Sequence, residues 1–406
     1  MTSFRLRNAF VLAMATALLP SQARAGQIEF FTVGITNPSA GYYAGTIGLG
    51  VSDTGVVAAT ANLSHASEVG AAYAAGGTTT TLPGSGRLLA ISANGTRTTG
   101  FSNNSPGAIS WTVGSALTTN LPSLGGYAQG AAISPNGNLV AGVGGSTMQM
   151  ASWNFDGTGG TGLGNLGGSN FGWAGAVSNT GRVGGTSGGT ARAAVIAEAG
   201  VSNSTIQLGQ GYLDAGIPNP YGKVLGISSD GTMLVGESLT GSSSSGSQLN
   251  LFMKGFIVND LVNSSTLVAL TTPAGWDNAS ARDVTDRLNS GSGIVVGNLW
   301  NGNSKTPTAQ AAAIWVPGSG ADLLQNYAAS KNITIPSGYT LLTAFGISSD
   351  GIYVTGSARD GLGNQVGYLL DLSNNNPLPE PASVLSLAIG GIMTLYVRRK
   401  RRNGTV

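Results

Sequence analysis

Cysteine is absent from all 406 residues of this chain, which removes disulfide staples, thiolate nucleophiles, zinc–thiolate sites and iron–sulfur clusters from consideration. Stability must then come from packing and backbone pairing alone. Histidine occurs once, as His65 in Leu63-Ser64-His65-Ala66-Ser67-Glu68. A serine hydrolase needs its base beside a nucleophile held elsewhere in the fold, and no nucleophile elbow stands out to supply one, so His65 reads as a surface or capping residue. Charged residues make up only 9% of the chain. Long apolar runs are missing as well: the two longest candidates, Ala9 to Leu19 and Ala382 to Val397, are 11 and 16 residues long, short of the ~20 that a stable spanning helix prefers. What the chain has in abundance is glycine, 65 residues of it, together with Ser, Thr and Asn. Regularly spaced apolar triplets run through the whole body and argue against disorder.

The two short apolar segments sit at the ends in telling company. Arg5 and Arg7 precede Ala9 to Leu19, and Pro20 leads into Ala23-Arg24-Ala25; this order predicts a signal peptide over residues 1–25, cut by signal peptidase after Ala25 because its pocket admits small side chains at both positions. At the other end Pro379-Glu380-Pro381 is followed by Ala382 to Val397 and then by Arg398, Arg399, Lys400, Arg401 and Arg402. A cation at a bilayer centre costs roughly 2.5–3.5 kcal/mol on insertion scales, so five in a row predict a transmembrane segment that stalls with its basic end in the cytoplasm and the preceding chain outside. With both ends set aside, residues 26–378 hold 11 Lys and Arg against 16 Asp and Glu. A weakly acidic body without basic clusters argues against a nucleic-acid partner.

The body is repetitive. One pattern, an Ile or Val, a Ser or Thr, polar residues and a Gly, recurs as Val51-Ser52-Asp53-Thr54-Gly55, Ile91-Ser92-Ala93-Asn94-Gly95, Ile133-Ser134-Pro135-Asn136-Gly137, Val177-Ser178-Asn179-Thr180-Gly181, Ile227-Ser228-Ser229-Asp230-Gly231, a degenerate Val284-Thr285-Asp286 leading to Gly291, and Ile347-Ser348-Ser349-Asp350-Gly351. The pattern predicts a hairpin in which hydroxyl, Asp and Asn side chains bond the local backbone while the glycine takes positive φ. Apolar runs ending in glycine, such as Leu139-Val140-Ala141-Gly142 and Ile294-Val295-Val296-Gly297, follow as return strands. A second landmark is an Ala-rich strand with a bulky residue, as in Ala108-Ile109-Ser110-Trp111, Ala151-Ser152-Trp153, Ala193-Ala194-Val195-Ile196 and Ala312-Ala313-Ile314-Trp315, where one ring is expected to fill the gap between neighbouring units. The turn glycines lie 40, 42, 44, 50, 60 and 60 residues apart, room for about four short strands each. The expected fold is an all-β seven-bladed β-propeller over residues 26–376, with Ile28 to Ile35 supplying a strand that closes the ring on the last blade. A β-solenoid or stacked sandwich of the same hairpins is the alternative. Gly241 to Ser247 reads as a loop insertion and Ala321 to Ser330 as the best helix.

The C-terminal order of elements resembles the PEP-CTERM sorting signal, carried by Pro379, Glu380, Pro381 and the basic cluster Arg398 to Arg402 over residues 377–402. That resemblance implies recognition by an exosortase-type membrane protease, removal of the tail after transient inner-membrane anchoring, and delivery to the cell envelope or an exopolysaccharide matrix. The internal repeat resembles the extracellular repeats named for a His-Ala-Phe motif, sharing their Ile-Ser/Asn-x-x-Gly-x-Val-Val-Gly core without that triplet.

Catalytic chemistry is thinly represented. Asp277, Asp283 and Asp286 cluster around Arg282 and Arg287 and would be the acid and base of a polysaccharide hydrolase or lyase, but alternating acids and arginines read as a solvated, mutually neutralised loop. They lack the order of a calcium loop. Asp53, Asp230 and Asp350 are explained by turn chemistry. Gly157-Thr158-Gly159-Gly160-Thr161-Gly162 matches a dinucleotide fingerprint only by letter, with no helix or acidic ribose ligand to follow, and Asn62 and Asn94 begin common sequons. No cofactor or metal is expected. The sequence points to an exported, non-enzymatic structural or binding protein, with carbohydrate recognised through Asn, Thr and aromatic faces or a protein partner in its place.

Overall fold

The computed structural model describes residues 26–33, 45–61, 68–103, 107–168, 170–214, 220–245, 248–287, 291–303 and 306–373. The signal-peptide residues Ala23 and Ala25, the sorting residues Pro379, Glu380, Pro381 and Arg398 to Arg402, and also His65 and Asn62, lie outside them. Among the described residues no helix is long and apolar enough to cross a membrane.

Within Ile28–Leu372 the chain forms seven four-stranded sheets, and the molecule is a seven-bladed β-propeller. Six sheets are four consecutive strands and form, in chain order, blade 1 over Thr46–Thr81, blade 2 over Gly86–Asn120, blade 3 over Tyr127–Gly164, blade 4 over Gly172–Gln207, blade 5 over Gly222–Ala269 and blade 6 over Asn278–Leu323. The seventh takes Thr340–Ile347, Tyr353–Arg359 and Gln365–Asp371 from the end of the chain and Ile28–Phe31 from its beginning, with Ile28 opposite Leu370 and Phe31 opposite Gly367. The closing strand foreseen at Ile28 to Ile35 is thus present. It is fastened sideways too: Phe31 stacks on Tyr73 of blade 1 at 4.1 Å, and Glu29 accepts hydrogen bonds from the Tyr73 hydroxyl at 2.8 Å and the Gly76 amide at 2.9 Å.

All seven turn glycines have φ between 71° and 89°, as the hairpin reading requires. The hydroxyl before each is the more interesting group. Ser52, Ser92, Ser134, Ser178, Ser228, Thr285 and Ser348 are all at most 1% exposed, and each oxygen accepts the backbone amide that starts the return strand, from Val56 at 2.9 Å to Tyr353 at 2.9 Å. The following residue joins the blades. The amide of Asp53 donates to the carbonyl of Ala93, Ala93 to Pro135, Asn179 to Ser229 and Asp286 to Ser349. At the other three joints a side chain accepts: Asn179 Oδ1 from the Asn136 amide at 2.7 Å, Asp286 Oδ1 from Ser229 at 2.6 Å, and Asp53 Oδ1 from Ser349 at 2.8 Å. These hydrogen bonds run in one sense around the ring and return to their start. Pro135 has no N–H, and the circuit continues through its neighbour Asn136.

Among the described residues the core is divided into one large apolar cluster per gap between adjacent sheets, seven in all, with a small eighth of Leu239, Met253 and Trp300 between blades 5 and 6. Trp111 packs with Ala58, Ala72 and Leu82 of blade 1, Trp153 with Ala108 and Leu121 of blade 2, and Trp315 with Met233, Val235 and Ile257 of blade 5. Trp153 and Trp315 also donate their indole N–H to the neighbouring blade, to the carbonyls of Pro122 at 2.9 Å and Thr271 at 2.7 Å, so the rings fill the gaps as expected.

Three local expectations change. The helix is Leu324–Ser330, because Gly320–Leu323 pairs with Ala313 to Val316 as the outer strand of blade 6. Gly241 to Ser245 is no loop but the far end of the strand Leu234–Ser245, paired to Gln248–Val258. The supposed solvated segment holding Arg282 and Asp283 is the innermost strand of blade 6, Asn278–Val284. A β-ladder there overrides the charge pattern.

Candidate functional site

The seven innermost strands surround a central channel whose chamber has about 150 Å³ of open volume. Each carries a bulge at the same place, visible as a register break around Leu49, Leu89, Ala131, Gly175, Leu225, Arg282 and Phe345, and all seven line the chamber. A bulge re-aims its extra residue, so one position per blade faces the axis. Five of these are large; Gly175 is not, and the ring of Trp173 lies across it, where a Cβ would come within 2.6 Å of Cζ3.

The channel is electrically lopsided. Its turn end carries Asp53, Asp283 and Asp286, each already committed to a backbone amide of another blade. Asp283 is the most confined: Oδ1 accepts from Val284 at 2.9 Å and Oδ2 from Ile347 of blade 7 at 3.0 Å. Burial pushes its carboxyl up to about 7, the two amides offset part of that, and the Asp286 charge adds to it. Among the described residues no group of three or more His, Cys, Asp or Glu side chains is disposed to hold a metal.

The opposite mouth is cationic and aromatic, and sequence reading missed it. On inner strands, residues two before the bulge share its face, which in blades 4 and 5 sets Trp173 beside Lys223. The Lys223 ammonium lies 3.7 Å from the Trp173 ring centroid, the Arg192 guanidinium 3.9 Å from that of Phe171, and Arg282 5.5 Å from that of Phe345. One carboxylate, Glu237, serves this group. It accepts from Ser280 Oγ at 2.6 Å and the Tyr221 hydroxyl at 3.4 Å, and stands 3.7 Å from Arg282 Nη2. Burial works to raise its carboxyl, but Arg282, Lys223 and the two hydroxyl donors outweigh it and hold Glu237 below the usual carboxylate range. Lys223 is drawn down to about 8, first by burial and then by Arg282 and Arg192, against the pull of Glu237. The Tyr221 hydroxyl is pushed up by burial and by Glu237. Arg282 and Lys223 thus share one internal acid, and Arg192 adds its charge beside Lys223.

The remaining candidates have structural roles. Asp277 caps the start of the Asn278–Val284 strand, accepting from the Gly302 amide at 3.3 Å, and Asp286 lies beyond that strand's other end. The seven-residue strand between them, at about 3.3 Å per residue, holds them roughly 20 Å apart, far outside the spacing of a glycosidase pair. Asp230 and Asp350 accept from their turn serines and from the amides of Thr232 and Ile352, and Asn94 does the same within its turn. Gly157 to Gly162 forms a turn and the start of the outer strand Thr161–Gly164. A literal Gly-x-Ser-x-Gly run, Gly185 to Gly189, belongs mostly to the strand Arg182–Gly188, where the Ser187 oxygen is buried, accepting from Leu166 and donating to the Phe171 carbonyl; it makes no elbow.

No family model matches the chain, and no curated protein is similar to it. Among solved structures it is similar to the β-propeller domain of the Trilobed protease from Pyrococcus furiosus, at 9% identity and a TM-score of 0.46 over 82% of this chain and 99% of that one. It is also similar to puromycin hydrolase, at 12% identity and 0.48 over 78% of this chain and 50% of that one, and to hydrazine synthase of Kuenenia stuttgartiensis, at 12% identity and 0.37 over 66% and 75%. The chain spans half the length of the puromycin hydrolase chain. The assignment as a seven-bladed propeller rests on the chain's own sheet order, not on these likenesses.

Proposed function

We propose that this chain is an exported, non-enzymatic binding protein of the cell envelope or exopolysaccharide matrix, sorted there through its C-terminal segment. The observation that carries the non-enzymatic part is the employment of the channel carboxylates. Asp53, Asp283 and Asp286 each accept a backbone amide from a different blade, so they close the ring instead of waiting for substrate. The export part stands on the sequence: Arg5 to Ala25 at one end and Pro379 to Arg402 at the other, acted on by signal peptidase and an exosortase-type protease. A cysteine-free body stapled by a hydrogen-bond circuit and seven interblade cores suits an oxidising exterior without needing disulfides.

Deleting residues 377–406 tests the sorting. Fractionation is expected to show the truncated protein lost from the envelope or matrix fraction and released to the medium, and an unchanged distribution would overturn it. The competing hydrolase reading is addressed by assaying the purified protein on acidic and neutral polysaccharides beside Asp283→Asn: turnover abolished in the variant would replace the binding reading.

A further inference from the structure

We infer that the cationic mouth of the channel at blades 4 to 6 binds a carboxylate carried on a sugar ring, the uronate unit of an acidic polysaccharide. The inference rests on the binding reading above and assigns it a site and a ligand class. Arg282 and Lys223 face a single carboxylate, Glu237, and Arg192 lies close enough to Lys223 to act on it, which leaves the cluster two positive charges in excess. Glu237 is saturated from within, by Ser280, Tyr221 and Arg282. Arg282 is engaged further by Asn298 Oδ1 at 3.1 Å. Lys223 and Arg192, by contrast, lie over the rings of Trp173 and Phe171, and among the described residues neither side chain has an oxygen acceptor. Half-buried cations held in place by aromatic faces, with donors pointing to no acceptor of their own, are disposed for a charge-assisted pair with an incoming anion.

The walls choose among anions. Trp173, Phe171 and Phe345 present flat apolar rings beside the cations, Tyr221 adds a ring whose hydroxyl reaches Glu237, and each is half-buried. A bare hydrated phosphate makes no use of such surface, whereas a pyranose offers apolar C–H faces to a ring and a carboxylate at its edge to the cations. The paired strands Leu234–Ser245 with Gln248–Val258 and Val295–Asn303 with Thr306–Val316 are the longest hairpins of the molecule. They belong to blades 5 and 6, the same two blades that supply Lys223, Glu237 and Arg282. The longest hairpins thus stand on blades that carry the cluster.

Calorimetric titration of the full-length protein with trigalacturonate, maltotriose and inorganic phosphate tests the assignment. Trigalacturonate is expected to bind, to weaken as salt is raised, and to lose on the order of tenfold in affinity in Lys223→Met and again in Arg192→Gln, while Lys331→Met, just past the end of the helix Leu324–Ser330, binds as wild type. Circular dichroism establishes that each variant is folded; Arg192→Gln, altering a half-buried side chain outside the ladder contacts of Glu237, keeps the test alive if Lys223→Met does not fold. Absence of trigalacturonate binding, equal affinity in the folded variants, or phosphate or maltotriose binding as tightly as trigalacturonate would each overturn the inference. Matrix association that persists without trigalacturonate binding sinks this inference alone; trigalacturonate binding by a protein whose location ignores residues 377–406 sinks the sorting reading alone.

Discussion

At the scale of single residues, the turn hydroxyls contribute more than their surface position in the sequence suggests. Ser134 is fully buried, accepts the Leu139 amide at 3.0 Å and donates to Asn136 Oδ1 at 2.7 Å. Replacing it by Ala strands a buried N–H, which costs about 1–3 kcal/mol; Ser134→Ala should lower the urea midpoint accordingly, and a midpoint equal to wild type would deny the serine that role. Asp283 makes a pH prediction of unusual sign. Its carboxyl has a native pKa of about 7 against an ordinary 3.8, so between those values the native state holds a proton that the unfolded state has released. Stability attributable to this group is therefore undiminished at low pH, falls as pH rises through the window, and is lower by on the order of 4 kcal/mol above it. Measured by urea unfolding at pH 5 and pH 8, the stability of Asp283→Asn relative to wild type should shift in the variant's favour at the higher pH. A difference independent of pH would show that the carboxyl is already ionised at pH 5.

At the scale of the strand, the inner-strand bulge explains a letter in the repeat. The glycine that ends each return-strand motif lies opposite the inner strand where the bulge brings the backbones together: a Cβ on Gly100, Gly142, Gly236, Gly297 or Gly356 would sit 1.9 Å from the carbonyl oxygen of Arg87, Gln129, Lys223, Ser280 or Thr343. Gly142→Ala should therefore destabilise by about 1–3 kcal/mol through forced backbone displacement, although alanine is the better strand residue. Stability retained in full would mean that the bulge yields easily. Blade 1 carries Ala59 in this position, opposite Gly48. The same element scale shows what sequence reading reaches. The turn Ser or Thr, the turn Gly and the apolar return strand recur in every blade because each is fixed by local backbone chemistry, so blade number was legible. Outer strands as short as Thr119–Asn120 and Ile206–Gln207 have too few side chains to show a period. The Lys223 and Glu237 cluster was hidden for another reason: those two face each other across one hairpin, but Arg192 and Arg282 come from the neighbouring blades, and the repeat position of Lys223 holds Ile47, Arg87 or Gln129 in the first three blades, so no letter recurs there. Only the rarity of charge in this chain, read position by position within the repeat, would have drawn attention to Lys223.

At the scale of the whole molecule, closure is the organising event. The ring is shut twice, by the strand Ile28–Phe31 on blade 7 and by the amide circuit through Asp53 and Ser349. Phe31 belongs to the cluster between blades 7 and 1 and stacks on Tyr73, so Phe31→Ala should cost about 3–5 kcal/mol and lower the thermal midpoint; a variant melting with wild type would mean that the N-terminal strand is ornamental. Closure also fits the proposed life of the protein, since the closing strand begins at Ile28, immediately after the expected signal-peptide cut following Ala25. Under that proposal the closing strand lies two residues from the N-terminus of the processed chain.

The most direct test of that account is the intact mass of the protein recovered from the envelope and extracellular fractions of the cells that make it. The account predicts a species beginning at Gly26 and lacking the residues that follow the Pro379-Glu380-Pro381 motif. A full-length chain with Met1 and Val406 in place, found inside the cell, would contradict it.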